Sequence, residues 1–348
     1  MITLGIESSC DETAASVVRG GTEVLSSVVS SQYDLHAEYA GVVPEIASRA
    51  HVERMLPVVR EALAQAGVGL GMIDAVAVGH RPGLIGCLLV GVSAAKSLAW
   101  SLSRPLIGVD HVHAHLYSGM LGCTTSEDLF PALGLVVSGG HTAMFRLESW
   151  DRVSRLGGTI DDAIGEAYDK VATILGLPHP GGPNLDRLAR GVGADDRAFD
   201  LPISRLAPDS LDLSFSGLKT AVLYAARGVP NARDPEKLPQ PMTDKRRADI
   251  AASFQRAACR AVLVKLGRAA QSVGPGVRTL FVGGGVSANS RLRDELAAFA
   301  AERSVRLVIP PLAYCMDNAA MIAGLGGTML AAGHRATLEL QADPTTSL

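Results

Sequence analysis

The chain has 348 residues, 47% of them hydrophobic and 19% charged, with 37 glycines and few aromatics; this suits roughly two close-packed α/β domains and excludes a disordered or fibrous chain. A net charge of −3 supplies no global field toward nucleic acid, so any RNA contact needs a local patch or a partner subunit. Cys10, Cys87, Cys123, Cys259 and Cys315 are scattered, odd in number and free of any C-x-x-C pair, which argues against a disulfide framework or zinc ribbon and for a reducing cytoplasm.

The N-terminus carries no basic region and no signal-like apolar run. Residues 2–6 predict a strand, Glu7 to Thr13 a polar turn, and 14–18 a second strand. Such a hairpin can cradle phosphate with Glu7, Ser8, Ser9 and Asp11, or it can be an ordinary hairpin with an acidic tip. Apolar residues at helical spacing predict a helix over 44–66, opened by Pro44 and closed by Gly67. Residues 73–79 read as a buried strand and 84–101 as an apolar helix. Ser93, Lys96 and Ser97 interrupt that helix, so it reads as buried rather than membrane-spanning.

A short strand at 105–109 delivers the chain to Asp110-His111-Val112-His113-Ala114-His115. His111 and His115 are four apart, which stacks them on one helix face at a strand's carboxyl end, where open α/β sheets place ligands. Two readings are open: a metal pair completed by Asp317, or histidines lining a solvated face. After a polar break at 118–131, strands at 132–137 and 143–147 flank Ser138-Gly139-Gly140-His141-Thr142. This repeats the opening hairpin and suggests a duplicated fold, with glycines allowing a close backbone approach to phosphate.

Thr159 is placed to cap a helix carrying Asp161 and Asp162 in its first turn and Asp169 further in. Residues 180–184 read as a rigid turn, followed by a helix bearing Asp186, Arg187 and Arg190. Further helices are predicted over 218–227 and 248–273, separated by a proline-rich loop at 228–244. Lys245-Arg246-Arg247 is the densest basic cluster and the one modest RNA-patch candidate. A strand at 279–282 enters Gly283-Gly284-Gly285-Val286-Ser287-Ala288-Asn289, a glycine-rich loop before helix 291–303. It is neither a dinucleotide fingerprint nor a P-loop. A last strand, 305–309, leads to Asp317 and helix 318–332.

Several stretches together resemble one family. They are Gly5 to Thr13, Gly41 to Arg49, His111-x3-His115, Val137 to Thr142, Gly165 to Lys170, Pro180 to Pro183, Ser214 to Lys219, Gly283 to Asn289 and Cys315 to Asn318. The chain resembles the TsaD family of tRNA adenosine threonylcarbamoyltransferases, formerly called glycoproteases. The resemblance implies an α/β actin-like ATPase fold, shared with sugar kinases and chaperones, of two related ribonuclease-H-like lobes. The lobes expected are 1–117 with 318–348, and 118–317, with metal and adenylate in a cleft. It implies that His111, His115 and Asp317 hold one iron, or zinc, per subunit. It further implies that Val137, Ser138, Gly139, Gly140, His141, Asp169, Gly182, Asp186 and Asn289 bind threonylcarbamoyl-adenylate, with Gly284 and Gly285 beside the phosphate. The donor would come from a separate synthase, and the acceptor is the exocyclic amine of the adenosine 3′ of the anticodon in tRNAs reading codons that begin with A. The partners implied are a TsaB-like paralog and a TsaE-like ATPase in the cytoplasm, with no membrane.

No residue stands out as the proton acceptor; His141 is a candidate. Relatives usually carry glycine where Arg81 stands and threonine where Met316 stands, while His113 replaces an acidic or aromatic residue. An H-E-x-x-H zinc protease needs a glutamate where this chain has Val112. A scaffold paralog would lack the histidine pair, and a small-molecule carbamoyltransferase usually carries a fused synthase domain that 348 residues cannot hold.

Overall fold

The computed structural model describes residues 1–345 apart from 40, 124–127, 205, 208, 231–237, 239 and 275. Parts of the expected break at 118–131 and of the loop at 228–244 therefore lie outside the described residues. The chain forms two compact units. One comprises Met1–Asp128, Glu148–Val153 and Val308–Leu348, the other Leu129–Leu147 and Ser154–Leu307. These bounds differ from the junctions expected at 117/118 and 317/318, and they put Asp317 in the same unit as the histidine pair.

The first unit is built on a five-stranded sheet. Its strands are β1 (Ile2–Glu7), β2 (Glu12–Arg19), β3 (Glu23–Ser31), β4 (Ala75–Arg81) and β5 (Leu106–Asp110), in the order β3-β2-β1-β4-β5. β1 runs antiparallel to β2 and parallel to β4, and β4 is parallel to β5. Helix α1 (Tyr33–His36) is one turn; α2 (Pro44–Ala66) and α3 (Ile85–Leu102) pack together, with core residues such as Met55, Val59, Val92 and Ala95 against Leu4, Ile6, Val17 and Val76. Pro44 occupies the first turn of α2, and Gly67 closes it at φ 66°, a left-handed position that glycine adopts without strain.

α3 departs from expectation. It is the one helix among the described residues that is long and apolar enough to span a membrane, yet only about a third of its apolar window is buried. Leu89 is 51% exposed and Trp100 73%, beside Val52 and Leu56 of α2. A groove of about 540 Å³ runs between the helices, lined by Met55, Leu56, Ser93, Ser97 and Trp100 among others.

α4 (His111–Tyr117) follows β5 directly, and α10 (Ala319–Ala331) packs on the same sheet. The fit of α10 is close: a Cβ on Gly5 would strike the Ala319 carbonyl, and one on Gly326 would strike Ala77.

The second unit repeats the strand order. β6 (Ala132–Val137), β7 (Thr142–Ser149), β8 (Arg152–Gly158), β9 (Thr279–Gly283) and β10 (Arg306–Val308) are ordered β8-β7-β6-β9-β10. β6 is antiparallel to β7 and parallel to β9, as β1 is to β2 and β4. The helices of this unit are α5 (Ile164–Ile174), α6 (Gly181–Ala189), α7 (Ser216–Arg227), α8 (Asp244–Val273) and α9 (Ser290–Glu302). Tyr168 of α5 meets Phe254 of α8 edge to face at 5.0 Å between ring centroids, in a core shared with Phe215 and Phe281.

Local chemistry corrects two expectations here. Thr159 does not cap α5, which begins at Ile164; its hydroxyl instead donates to the Asp162 carbonyl. The Ile164 N–H is satisfied by the Thr142 hydroxyl of β7 at 2.9 Å. The glycines read as a rigid turn at 180–184 begin α6, because Gly181 must lie against Asp169, where a Cβ would come within 2.7 Å of its carboxylate.

Candidate metal centre and phosphate turn

In the first unit the site starts from the helix cap. Asp110 ends β5, and its side chain accepts from the N–H groups of Val112 at 3.0 Å and His113 at 3.2 Å. This fixes the start of α4 and so the direction of both candidate ligand histidines. Arg81, at the end of β4, lies against the other Asp110 oxygen at 3.2 Å. Arg81 thus supports the cap.

His111 and His115 are buried, with rings edge to face at 4.6 Å. His115 Nε2 lies 3.1 Å from Asp317 Oδ1 and His111 Nε2 lies 3.7 Å from it. One ligand atom from each of the three residues falls within 4.8 Å of the others. Asp317 is presented just before α10, where Asn318 caps the helix by accepting from the Met321 N–H and donates to the Met316 carbonyl at 2.8 Å. Met316 itself is 61% exposed.

The donor set suits a metal ion. Neither ring nitrogen of the buried His115 makes a hydrogen bond among the described residues, although one sits 3.1 Å from a carboxylate oxygen. A buried imidazole left this way is costly unless something else binds it. Two imidazoles and one carboxylate match iron(II) or zinc. Carboxylates gather around the set. Burial first, and then Asp317 and Asp11, push Glu12 up to about 9.

The β1–β2 turn lies against the histidine pair. Glu7 Oε2 lies 2.9 Å from His111 Nδ1, and the Ser9 N–H donates to Glu7 Oε1 at 2.6 Å. Ser9 Oγ lies 3.3 Å from the same ring nitrogen, and Ser8 donates to the Cys87 carbonyl. Burial works against the His111 charge, but Glu7 and Asp317 prevail and raise it to about 10. Burial likewise opposes ionised Glu7, but the neighbouring His111 holds it below the ordinary carboxylate range. Asp11 is half-buried at the tip and gives its carbonyl to the Gln32 N–H.

The second unit holds the glycine turn. Val137 ends β6; the Ser138 N–H donates to the His141 carbonyl at 2.8 Å, and the His141 N–H to Ser138 Oγ at 3.0 Å. Gly139 and Gly140 form the exposed tip, and a Cβ on either would meet only open space. Gly165 and Gly284 press on the base of the turn; a Cβ on Gly284, whose φ is 94°, would lie 2.5 Å from the Val137 carbonyl. Gly285 begins the short 3-10 turn that follows.

Asp169 and Gly182 meet through the Gly182 N–H, which donates to Asp169 Oδ1 at 3.2 Å. Asp186 and Asn289 meet within a wider network: Asp186 accepts from Gln255 at 2.9 Å, from Ser290 Oγ at 2.7 Å and from Asn289 at 3.3 Å. Gln255 and Ser290 went unread in the sequence, because an isolated Gln inside a helix and a Ser at a helix start carry no pattern of their own. Asp161 and Asp162 are organising residues rather than helix-dipole partners. Asp161 accepts from Ser214, the Phe215 N–H and Ser216, and Asp162 from Lys170 and Lys219 at 2.7 Å each. The basic cluster is likewise engaged. Lys245 pairs with Asp249, Arg246 donates to the Ala225 carbonyl and lies over the Phe199 ring, and Arg247 pairs with Asp244.

Residues 23–324 match the family model of TsaD, tRNA N6-adenosine threonylcarbamoyltransferase. A curated relative of that name from Symbiobacterium thermophilum is 51% identical over 347 residues, covering 100% of this chain and 97% of its own. Another from Bacillus cereus is 47% identical over 344 residues, covering 99% and 95%. Among solved structures, HypF from T. kodakarensis superposes with a TM-score of 0.60 at 17% identity, over 95% of this chain and 48% of that one. Component A of the (R)-2-hydroxyglutaryl-CoA dehydratase of Acidaminococcus fermentans gives 0.51 at 14%, over 95% and 99%. At these identities the structural likeness speaks to the fold, which is the actin-like ATPase one.

Proposed function

The chain belongs to the TsaD family of tRNA N6-adenosine threonylcarbamoyltransferases, and from that membership we infer how its residues divide the work. It is a transferase that places a threonylcarbamoyl group on the N6 amine of an adenosine in tRNA. The donor proposed is threonylcarbamoyl-adenylate, a mixed carbamic–phosphoric anhydride supplied by a separate synthase. The acceptor proposed is the adenosine 3′ of the anticodon in tRNAs reading codons that begin with A. The amine attacks the carbamoyl carbon, the carbon–oxygen bond to phosphate breaks, and AMP leaves with the electron pair. The amine proton passes to a general base.

His111, His115 and Asp317 are the proposed ligands of one iron ion, with zinc as the alternative. Such an ion, when bound, supplies Lewis acidity to an anhydride oxygen. The turn from Val137 to His141 is the proposed phosphate cradle, since its glycine tip is open and its backbone unshielded by side chains. Asp169, Gly182, Asp186 and Asn289 are the proposed contacts to the nucleoside. Asp186 and Asn289 are held for this by Gln255 and Ser290. The cytoplasm is the proposed compartment, in keeping with five free cysteines and a tRNA substrate.

A TsaB-like paralog and a TsaE-like ATPase are the proposed partners. The apolar face of α2 and α3 supports the first, because an exposed stripe of Leu56, Leu89 and Trp100 along a groove is the mark of a protein contact.

The convergence of two imidazoles and a carboxylate within 4.8 Å carries the metal reading. The test is threonylcarbamoyl transfer from supplied threonylcarbamoyl-adenylate to unmodified tRNA, with both partners present and the modified nucleoside read by mass. Wild type is expected to transfer, and His111→Ala to lose bound metal and at least a hundredfold of rate, on the order of what a lost catalytic electrostatic group costs. Full transfer by a metal-free His111→Ala protein would overturn the assignment.

A further inference from the structure

We infer that Glu7 is a positioning residue of the proposed metal centre: by accepting the Nδ1–H of His111 it keeps the hydrogen on that nitrogen and assigns Nε2 to the ion. The inference rests on the metal reading above and adds to it the residue that orients one ligand. The strands bring the parts together. Ile6 of β1 pairs with Val78 of β4, and Gly79 of β4 with Val109 of β5, so Glu7, Gly79 and the start of α4 lie at the same end of the sheet. Glu7 is fully buried there. Its Oε1 is committed to the Ser9 backbone N–H at 2.6 Å, which fixes the carboxylate plane and leaves Oε2 to His111 Nδ1 at 2.9 Å. Gly79 leaves room for it, since a Cβ at that position would lie 2.7 Å from Oε2.

The consequence is a choice of proton position. A backbone N–H can only donate, so Oε1 must accept from Ser9, and an ionised Oε2 can only accept from His111. Nδ1 therefore keeps its hydrogen, and Nε2, the nitrogen 3.7 Å from Asp317 Oδ1, is the one that gives up its proton to bind metal. Metal-bound histidines are commonly oriented by a carboxylate on the other ring nitrogen. Glutamine at this position would reverse the logic. Its carbonyl oxygen would be held by the Ser9 N–H, its NH2 would face Nδ1, and His111 would be driven to carry its hydrogen on Nε2, where the metal must sit.

The experiment measures Co2+ affinity by chelator competition, read by visible absorption, for wild type, Glu7→Gln, Glu7→Asp and His115→Ala. It also records the 15N ring shifts of His111 in the Zn2+-loaded wild type. Glu7→Gln is expected to bind Co2+ about 10–100-fold more weakly, Glu7→Asp to fall short of His111 and recover little, and the wild-type Nδ1 to carry the hydrogen. Co2+ affinity of Glu7→Gln within twofold of wild type, while His115→Ala loses the ion, would overturn the inference and leave the metal reading standing. Equal binding by His115→Ala and wild type would overturn both. If Glu7→Gln does not fold, a wild-type His111 with Nδ1 unprotonated or metal-bound is by itself enough to refute the role.

Discussion

At the scale of single residues, the proposed metal centre depends on a side chain outside its three candidate ligands. Asp110 satisfies two of the free N–H groups of α4 and is met on its other oxygen by Arg81. Asp110→Ala removes the cap, and a lost N-cap costs about 1 kcal/mol and up to about 2. The variant is expected to show that loss in chemical denaturation of the metal-free protein, and weaker Co2+ binding besides. Unchanged stability and affinity would show that the first turn of α4 is held by its packing alone. Neighbouring substitutions sort by direction. Arg81 faces inward to the cap and matters to it, whereas Met316 faces outward from the ligand it adjoins, so Met316→Thr is a change at the surface.

At the scale of elements, Asp162 joins two helices that the sequence separates. It accepts from Lys170 of α5 and Lys219 of α7, both at 2.7 Å. Burial alone would raise its carboxyl, but these two lysines outweigh it and hold it below the ordinary carboxylate value. A depressed carboxyl stabilises the fold above its unfolded value of about 3.9 and ceases to do so as pH falls through its folded value. Asp162→Asn is therefore expected to lower Tm at pH 7, by the equivalent of about 1–2 kcal/mol given its partly exposed lysines. The two Tm curves should converge once the pH falls below the depressed value of Asp162. A gap that persists at low pH would mean that the lysines are not its source. The face of α2 and α3 makes a second prediction at this scale. Trp100→Asp is expected to abolish co-elution with the TsaB-like partner and leave Co2+ binding intact, since Trp100 lies far along α3 from its start beside the β1–β2 turn. Retained co-elution would place the partner elsewhere.

These elements also show what the sequence could reveal. Strands buried on both faces, such as β1, β4, β6 and β9, announce themselves as apolar runs, and α2 is bracketed by proline and glycine at its true ends. The edge strands β3 and β8 give no strand signal, since β3 runs Ser-Ser-Val-Val-Ser-Ser without alternation and β8 carries two arginines, as suits strands with an exposed face. The cap of α5 was misassigned because its acceptor, Thr142, is 22 residues away in β7, and sequence proximity favoured Thr159. The sequence points to the meeting of His111, His115 and Asp317, which the structure brings within 4.8 Å; it gives no sign of Glu7, since no local spacing connects it to a ring 104 residues away.

At the scale of the whole molecule, charge decides the tRNA question. The net charge is −3, and the one dense basic cluster spends its cations on Asp249, the Ala225 carbonyl, Phe199 and Asp244. The chain alone is expected to bind tRNA weakly at physiological salt and to gain affinity, with a steeper salt dependence, when its partners are present. Tight binding by the isolated chain, in filter-binding or anisotropy titrations, would contradict this. The connectivity of the first unit has a separate outcome, in the order of biosynthesis. Its sheet is made early, but α10, which covers β1 and β4, and Asp317, which joins the histidines, come from the last tenth of the chain. The second unit, nearly all of residues 129–307, is translated in between. At ordinary elongation rates the first-made sheet waits roughly ten to forty seconds on the ribosome for its cover. The N-terminal unit is thus the last to finish, its β1–β4 face stays uncovered until α10 is made, and no product terminated before Asp317 carries all three of His111, His115 and Asp317.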